Sequence, residues 1–439
     1  MLKKAKLFFK GAHVPDNKAL SKDIPIEEMP APPIVAISLG QHIGKPAEAI
    51  VNIGDNVLQG QLIGKATGFV SANIYSSVSG KVIGIEKRPN INGVFMDHII
   101  IENDNLYNNM VLEPLADREP ETIKNRIAEA GIVGMGGAGF PTVVKLSPQT
   151  KVDTLIINGA ECEPYLTCDY RVMIERYDDV LAGIRLLAKA LSVTNIMIGI
   201  EKNKPDLIEK CAKEQDITVV PLRKAYPMGS EKHLIYCCTG RKVPCGKLPA
   251  DAGCVVQNIA TALATYEAVE KNKPLYERYM TCSGKSLYQP RNLLVKIGTR
   301  YDDILNFCRG FKRNTTMLVA GGPMMGPAML STDIYTTKTS SGFLALNETE
   351  IHYKNPTPCI NCGRCASVCP MNLLPMQIDF FTLAKDYESA EKIGGVMNCI
   401  SCGSCAYVCP AKRELVQSIA LAKSKIMENR KKAQNGGNK

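Results

Sequence analysis

The period of apolar and polar positions changes repeatedly along the chain. From about residue 34 to 105 the apolar runs are short, β-rich and broken by Gly and Asn. Strands are expected at 49–53, 61–63, 78–86 and 98–102, which predicts a small all-β module. From about 118, helix-period stretches alternate with short apolar runs. Residues 121–130 and 171–191 read as helices, and 154–158, 195–200 and 217–221 as strands, with a helix between the last two. Such alternation predicts an α/β domain with a largely parallel sheet, reaching about residue 272. Residues 275–350 are mixed, with strands at 293–297 and 317–320 around a short helix at 301–309, a small α+β unit. Beyond Pro356 and Pro358, Leu374, Ile378, Phe381, Leu383 and Ile393 recur at helical spacing, and a last helix is expected at 414–426. The Pro-rich stretch 1–33 shows no period and reads as an irregular lead-in. Residues 427–439 read as a basic, disordered tail.

Composition supports several globular units. The chain has 439 residues, 45% hydrophobic and 22% charged. The divisions expected are 34–110, 115–272, 275–350 and 352–426, between the lead-in and the tail. Net charge is +10, partly in Lys3, Lys4, Lys6, Lys10, Arg430, Lys431 and Lys432. That balance suits phosphate-bearing cofactors, an anionic membrane surface or an acidic redox partner; no nucleic-acid partner is expected. No apolar run reaches the roughly 20 residues of a spanning helix, and residues 1–10 lack the apolar core of a signal peptide. A cytosolic chain, at most peripheral to a membrane, is expected. Its 17 cysteines are odd in number and partly in metal-ligand spacing, against a disulfide-bonded secreted protein.

Eight of them form two identical runs. One is Cys359-x-x-Cys362-x-x-Cys365-x-x-x-Cys369-Pro370 and the other Cys399-x-x-Cys402-x-x-Cys405-x-x-x-Cys409-Pro410. Thiolates are soft donors suited to iron–sulfur cubanes. In two-cluster arrangements the fourth cysteine of each run ligates the other cluster. Cys359, Cys362, Cys365 and Cys409 are therefore assigned to one [4Fe–4S] cluster, and Cys399, Cys402, Cys405 and Cys369 to the other. Structural zinc sites use paired C-x-x-C knuckles instead.

A second feature is Gly134-Met135-Gly136-Gly137-Ala138-Gly139-Phe140-Pro141. Glycines let backbone N–H groups approach a phosphate. A Rossmann fingerprint would place such a loop after a strand; this one follows a helical stretch and its glycine order differs. Lys145 could meet a phosphate or a polarised ring carbonyl. The strand at 154–158 runs into Asn158-Gly159-Ala160-Glu161-Cys162-Glu163-Pro164, at the strand end where α/β sheets bind ligands. Glu161 and Glu163 could accept hydrogen bonds from ribose or carboxamide groups.

The sequence GMGGAGFPTVVK followed by NGAECEP resembles the flavin- and NADH-binding subunit of respiratory complex I and of NAD-linked hydrogenases. With YPMGSEKHL, the β module and the two cysteine runs, the chain over about residues 5–420 resembles the RnfC subunits of the Rnf ion-translocating electron-transport complexes. That resemblance implies a multidomain α+β fold: a β barrel-sandwich module, an α/β FMN/NAD(H)-binding domain, a β-grasp (SLBB-like) domain and a helical two-cluster ferredoxin domain. It implies FMN contacts from Gly134, Gly136, Gly137, Lys145, Asn158, Glu161, Asn258 and Thr261, with backbone N–H groups along 134–139, including Ala138 and Gly139. Glu231 stands at an acidic position near the flavin, and Phe140 and Glu163 are candidates for the nicotinamide nucleotide. Two departures are Met135, where complex I has Arg, and Gly229-Ser230-Glu231-Lys232 in place of a Gly-Glu-Glu pattern. The β module resembles biotinyl and lipoyl hairpins but has no modifiable Lys triplet, since Lys65 lies in Ile-Gly-Lys-Ala-Thr; a docking or structural role is expected.

The function implied is hydride exchange between NAD(H) and FMN. Electrons then pass through two clusters to or from other subunits, including an iron–sulfur subunit that exchanges electrons with ferredoxin. This would be a peripheral module on the cytoplasmic face of a membrane complex. No catalytic side chain is expected, because hydride transfer needs no general acid or base, and His13, His42, His98, His233 and His352 form no motif. Two other readings stay open, a flavin/NAD(H) subunit of a soluble hydrogenase or dehydrogenase, and an iron–sulfur adaptor that has lost its flavin.

Overall fold

Strand Thr154–Gly159 is buried along its length except at Asn158. It lies between the parallel strands Asn195–Glu201 and Cys254–Asn258, with Ile217–Leu222 outermost. Strands covered on both faces read as continuous apolar runs, as these do. Helices Tyr177–Leu191 and Ile259–Glu270 pack together at Gly183, where a Cβ would strike the backbone of Ala262. The helix expected at 171–191 is two, Cys168–Glu175 and Tyr177–Leu191, parted at Arg176 (φ −122°, ψ 35°). The Arg176 side chain is drawn to Asp179, Tyr279 and Glu267. The computed structural model describes residues 1–8, 10–351 and 355–436; His352 and the end of the expected tail lie outside them.

The β module is a four-stranded sheet (Ile34–Ser38, Phe95–Asn103, Gly80–Pro89, Asn56–Val57) against a three-stranded one (Glu48–Ala49, Leu62–Lys65, Ile74–Tyr75). A five-stranded mixed sheet follows the α/β domain, in the order Ile26–Glu28, Arg291–Lys296, Glu277–Ser283, Gly342–Asn347, Thr315–Ala320. Lys338 is fully buried where three modules meet, its Nζ donating to Gly131 O and Asn73 O.

The lead-in, irregular over most of its length, still pairs with distant strands. Leu2 bridges Val219, Ala12 bridges Tyr226, and Ile26–Glu28 adds an edge strand parallel to Arg291–Lys296. Prolines that exclude a regular element locally leave intervening residues free to pair with strands far along the chain. That pairing is invisible to any local period.

In the cysteine-rich module the apolar stripe forms two helices, Pro375–Leu383 and Tyr387–Lys392. Lys385 (φ 59°) breaks them, and the Asp386 carboxylate caps the second at Ser389 N. The last helix, Leu415–Gly436, runs well past 426. Ile419, Ala422 and Ile426 bury against Ile378, Ala390 and Val396. Glu428 pairs with Lys425 and Lys432, and Arg430 with Glu391. These ion pairs carry the helix through most of the stretch expected to be disordered.

Candidate functional site

The glycine loop closes on itself through Gly134 N–H donating to Phe140 O at 2.8 Å. Met135 N donates to Thr261 Oγ1 at 3.0 Å, and the guanidinium of Arg278, 2% exposed, donates to Met135 O at 2.7 Å. Gly136, Gly137 and Ala138 are exposed. Among the described residues, the backbone N–H groups of Gly136, Gly137, Ala138 and Gly139 have no protein acceptor. Gly137 (φ +129°) has open space where a side chain would stand. Gly136 faces Asn258, whose side chain caps helix Ile259–Glu270 by accepting from Ala260 N at 2.8 Å. Free N–H groups beside the N-terminus of a three-turn helix make an anion cradle.

The rest of the wall comes from the sheet's carboxyl edge. Asn158 Nδ2 donates to Gly229 O at 2.9 Å and its Oδ1 accepts from Ala160 N. Lys145 Nζ donates to Glu231 Oε1 at 2.7 Å and to Val256 O at 3.2 Å. Asn258 Nδ2 donates to Asp169 Oδ2 at 2.7 Å. Contacts thus link Gly136 to Asn258, Lys145 to Glu231 and Asn158 to Gly229 along this edge. Thr261 is fully buried, and its hydroxyl holds Met135 in place from behind.

Two expected acceptors are largely spoken for. Glu161 Oε1 accepts from Asp169 N at 2.8 Å, and Oε2 lies 3.7 Å from Lys18 Nζ, its side chain 5% exposed. Oε2 has no hydrogen-bond partner. Glu163, the other acceptor expected near the nucleotide, meets Tyr226 OH through Oε1 and Met324 N through Oε2, both at 3.1 Å. Phe140 stays half-buried at the end of the loop.

Beneath this edge lies a charged layer that local patterns did not signal. Lys18 donates to Glu163 O at 3.0 Å and also to Leu166 O. Lys204, 2% exposed, donates to Ala160 O at 2.7 Å. Burial pushes the carboxyls of Glu161, Glu163 and Asp169 upward, and that of Glu201 to about 7, against the pull of nearby lysines. Burial also lowers the Lys204 ammonium. Glu201 and Cys162 line a cavity of about 320 Å³ together with residues of the lead-in, His13 to Asp16 and Lys18. Lys18 sits in a stretch read as irregular, and Arg278 in a strand buried at every position, so neither stood out by pattern.

The cysteines fall into two groups in space. Cys359, Cys362, Cys365 and Cys409 line one pocket, with Met376, Arg413 and Leu415. Cys369 has Cys399 and Cys402 as electrostatic neighbours, and Cys405 has Cys399, Cys402 and Cys369. Backbone N–H groups already point at three sulfurs: Asn361 N to Cys359, Leu373 N to Cys369 and Ser401 N to Cys399, at 3.3–3.4 Å. Such bonds are the outer contacts that tune iron–sulfur clusters. All-thiol donor sets with N–H groups on the sulfurs fit clusters. Among the described residues, no three His, Cys, Asp or Glu side chains converge as ligands of a single ion would.

Comparison with known proteins agrees with this layout. Residues 6–106 match the family model of the RnfC barrel sandwich hybrid domain, 127–267 that of the Nuo51 FMN-binding domain, and 358–413 that of the 4Fe-4S dicluster domain. The C subunit of the proton-translocating ferredoxin:NAD(+) oxidoreductase complex of Clostridium ljungdahlii is 46% identical over 434 residues, covering 97% of this chain and 94% of that protein. Its counterpart in the Na(+)-translocating complex of Acetobacterium woodii is 42% identical over 432 residues, covering 96% and 97%. The counterpart in the ion-translocating oxidoreductase complex of Rhodobacter capsulatus is 45% identical over 432 residues, covering 95% and 83%.

Proposed function

This chain belongs to the RnfC family, the C subunits of ion-translocating ferredoxin:NAD(+) oxidoreductase complexes, and from that premise we propose that it exchanges hydride with NAD(H) at FMN and relays electrons through two [4Fe–4S] clusters. The observation that carries this reading is the row of unpaired N–H groups from Gly136 to Gly139, beside the N-terminus of helix Ile259–Glu270. These groups hold the FMN phosphate, with Arg278 supplying positive charge from beneath where Met135 brings none. Lys145, Asn158, Glu231 and Asn258 line the ring, and Thr261 fixes the loop. Glu161 Oε2, paired with Lys18 at 3.7 Å but without a hydrogen bond, is its remaining acceptor. Phe140 and Glu163 remain the candidates for the nicotinamide nucleotide. FMN, when bound, supplies the conversion between a hydride and single electrons.

Cys359, Cys362, Cys365 and Cys409 hold one cluster and Cys369, Cys399, Cys402 and Cys405 the other. Among the described residues no helix is long and apolar enough to cross a membrane. The chain is a peripheral subunit on the cytoplasmic face of its complex, and ion movement belongs to partner subunits. One of these is an iron–sulfur subunit that exchanges electrons with ferredoxin. The test is to purify the protein anaerobically, reconstitute clusters and FMN, and add NADH. Retained flavin that bleaches supports the reading; a protein that cannot retain FMN overturns it.

A further inference from the structure

The two thiol quartets do not face the α/β domain equally. Pro370, next to Cys369, accepts at its carbonyl from His233 Nε2 at 3.2 Å. On the other side of Cys369, Val368 O accepts from Gly11 N at 3.1 Å. Asn398, next to Cys399, accepts from Cys245 Sγ at 2.7 Å. Gly403, next to Cys402, lies so close to Met324 O that a Cβ would come within 2.5 Å of it. Met324 N–H is in turn held by Glu163. Three of the four thiols in this quartet thus adjoin residues that touch the flavin-side body of the protein.

The other quartet turns elsewhere. Cys359 and Cys362 are exposed, and Ile360 between them is 66% exposed. Contacts of its surroundings stay mostly within the module, Thr357 N to Ala411 O and Arg413 to Asp379. Among the described residues, the exception is Lys10 Nζ, 3.5 Å from Ala366 O.

One short segment joins the flavin wall to the first quartet. Gly229 O accepts from Asn158, Glu231 pairs with Lys145, and His233, two residues on, meets Pro370. We infer that Cys369, Cys399, Cys402 and Cys405 hold the cluster next to the flavin, and that Cys359, Cys362, Cys365 and Cys409 hold the outer one, where a partner's redox centre meets the exposed loop 359–363. This order rests on the functional reading above. One NADH gives NAD⁺, a proton and two electrons, so each cluster takes one electron and the proton goes to water.

The test is freeze-quench EPR after mixing the reconstituted holoprotein with NADH. Two double variants are compared, C359A/C362A and C399A/C402A, with dithionite reporting the cluster that survives in each. The order predicts that the first variant reduces its remaining cluster with NADH as fast as wild type. The second leaves its remaining cluster oxidised on that timescale, although dithionite reduces it. The opposite pattern, or equal rates in both, overturns the order. If a double variant loses both clusters, the single changes Cys362→Ser and Cys402→Ser each keep three thiolates and mark one signal. The signal shifted by Cys402→Ser must then appear first in NADH, and its appearing second overturns the order. Wild type that never bleaches its flavin with NADH would instead contradict the functional reading.

Discussion

Lys145 Nζ stands 2.7 Å from Glu231 Oε1, at the start of helix Glu231–Thr239, which reaches the ferredoxin module through His233. Both side chains are partly exposed, 29% and 37%, so the pair is worth at most about 1 kcal/mol to folding. Lys145→Ala should leave thermal unfolding nearly unchanged. FMN affinity should fall about 10- to 100-fold, the loss of one charge-assisted hydrogen bond. Flavin fluorescence titration measures it, and an unchanged affinity removes Lys145 from the site.

Gly139 has φ +65°, and a Cβ there would lie 2.7 Å from Thr339 Cγ2. Gly137 has φ +129° with nothing nearby. Gly139→Ala therefore meets strain and a clash, Gly137→Ala strain alone. Both should weaken FMN binding. Strain should destabilise both folds by about 1–3 kcal/mol, and the clash with Thr339 should lower the Gly139→Ala unfolding midpoint further. Differential scanning fluorimetry of the two apo variants separates them.

Burial raises the Glu201 carboxyl from 4.5 to about 7 against the pull of Lys204, Lys18 and Lys224, with Glu161 adding to the rise. A raised folded-state value means the folded protein holds a proton that the unfolded chain releases. The stability this contributes is present below about 4.5 and is lost as pH rises through about 7. Glu201→Gln removes that dependence. The variant should gain on wild type between pH 5 and 8, by up to about 3 kcal/mol at full titration. Unfolding midpoints at the two pH values report it, and a constant difference would show that Glu201 does not titrate there.

Cys409 shares a pocket with Cys359, Cys362 and Cys365, although it belongs to the second run. Cys409→Ser should alter the EPR signal of that cluster and leave the Cys369 quartet's signal in place. A change confined to the latter would mean that each run ligates its own cluster.

Much of this was legible in the chain. Strands Thr154–Gly159, Asn195–Glu201 and Ile217–Leu222 follow from apolar runs separated by helix periods, whereas Cys254–Asn258 did not stand out as a strand, and the cysteine runs are a spacing code in themselves. What escaped was long-range. The pairing of Leu2 with Val219, and of Ile26–Glu28 with Arg291–Lys296, leaves no local period. Lys18 and Arg278 gain their roles only when distant segments bring them under the sheet edge. Glu163 is a candidate by sequence because it follows the carboxyl end of strand Thr154–Gly159. Its partners, Tyr226 and Met324, come from two other parts of the fold.

The central claim is that hydride from NADH enters this chain at FMN and leaves as single electrons through both thiol quartets. An anaerobic equilibrium titration of the reconstituted holoprotein with NADH, followed by flavin absorbance and EPR together, tests it most directly. The account predicts that the flavin bleaches and that two reduced-cluster signals grow with added NADH. A protein that holds FMN and both clusters, reducible by dithionite, yet stays oxidised in excess NADH would contradict it.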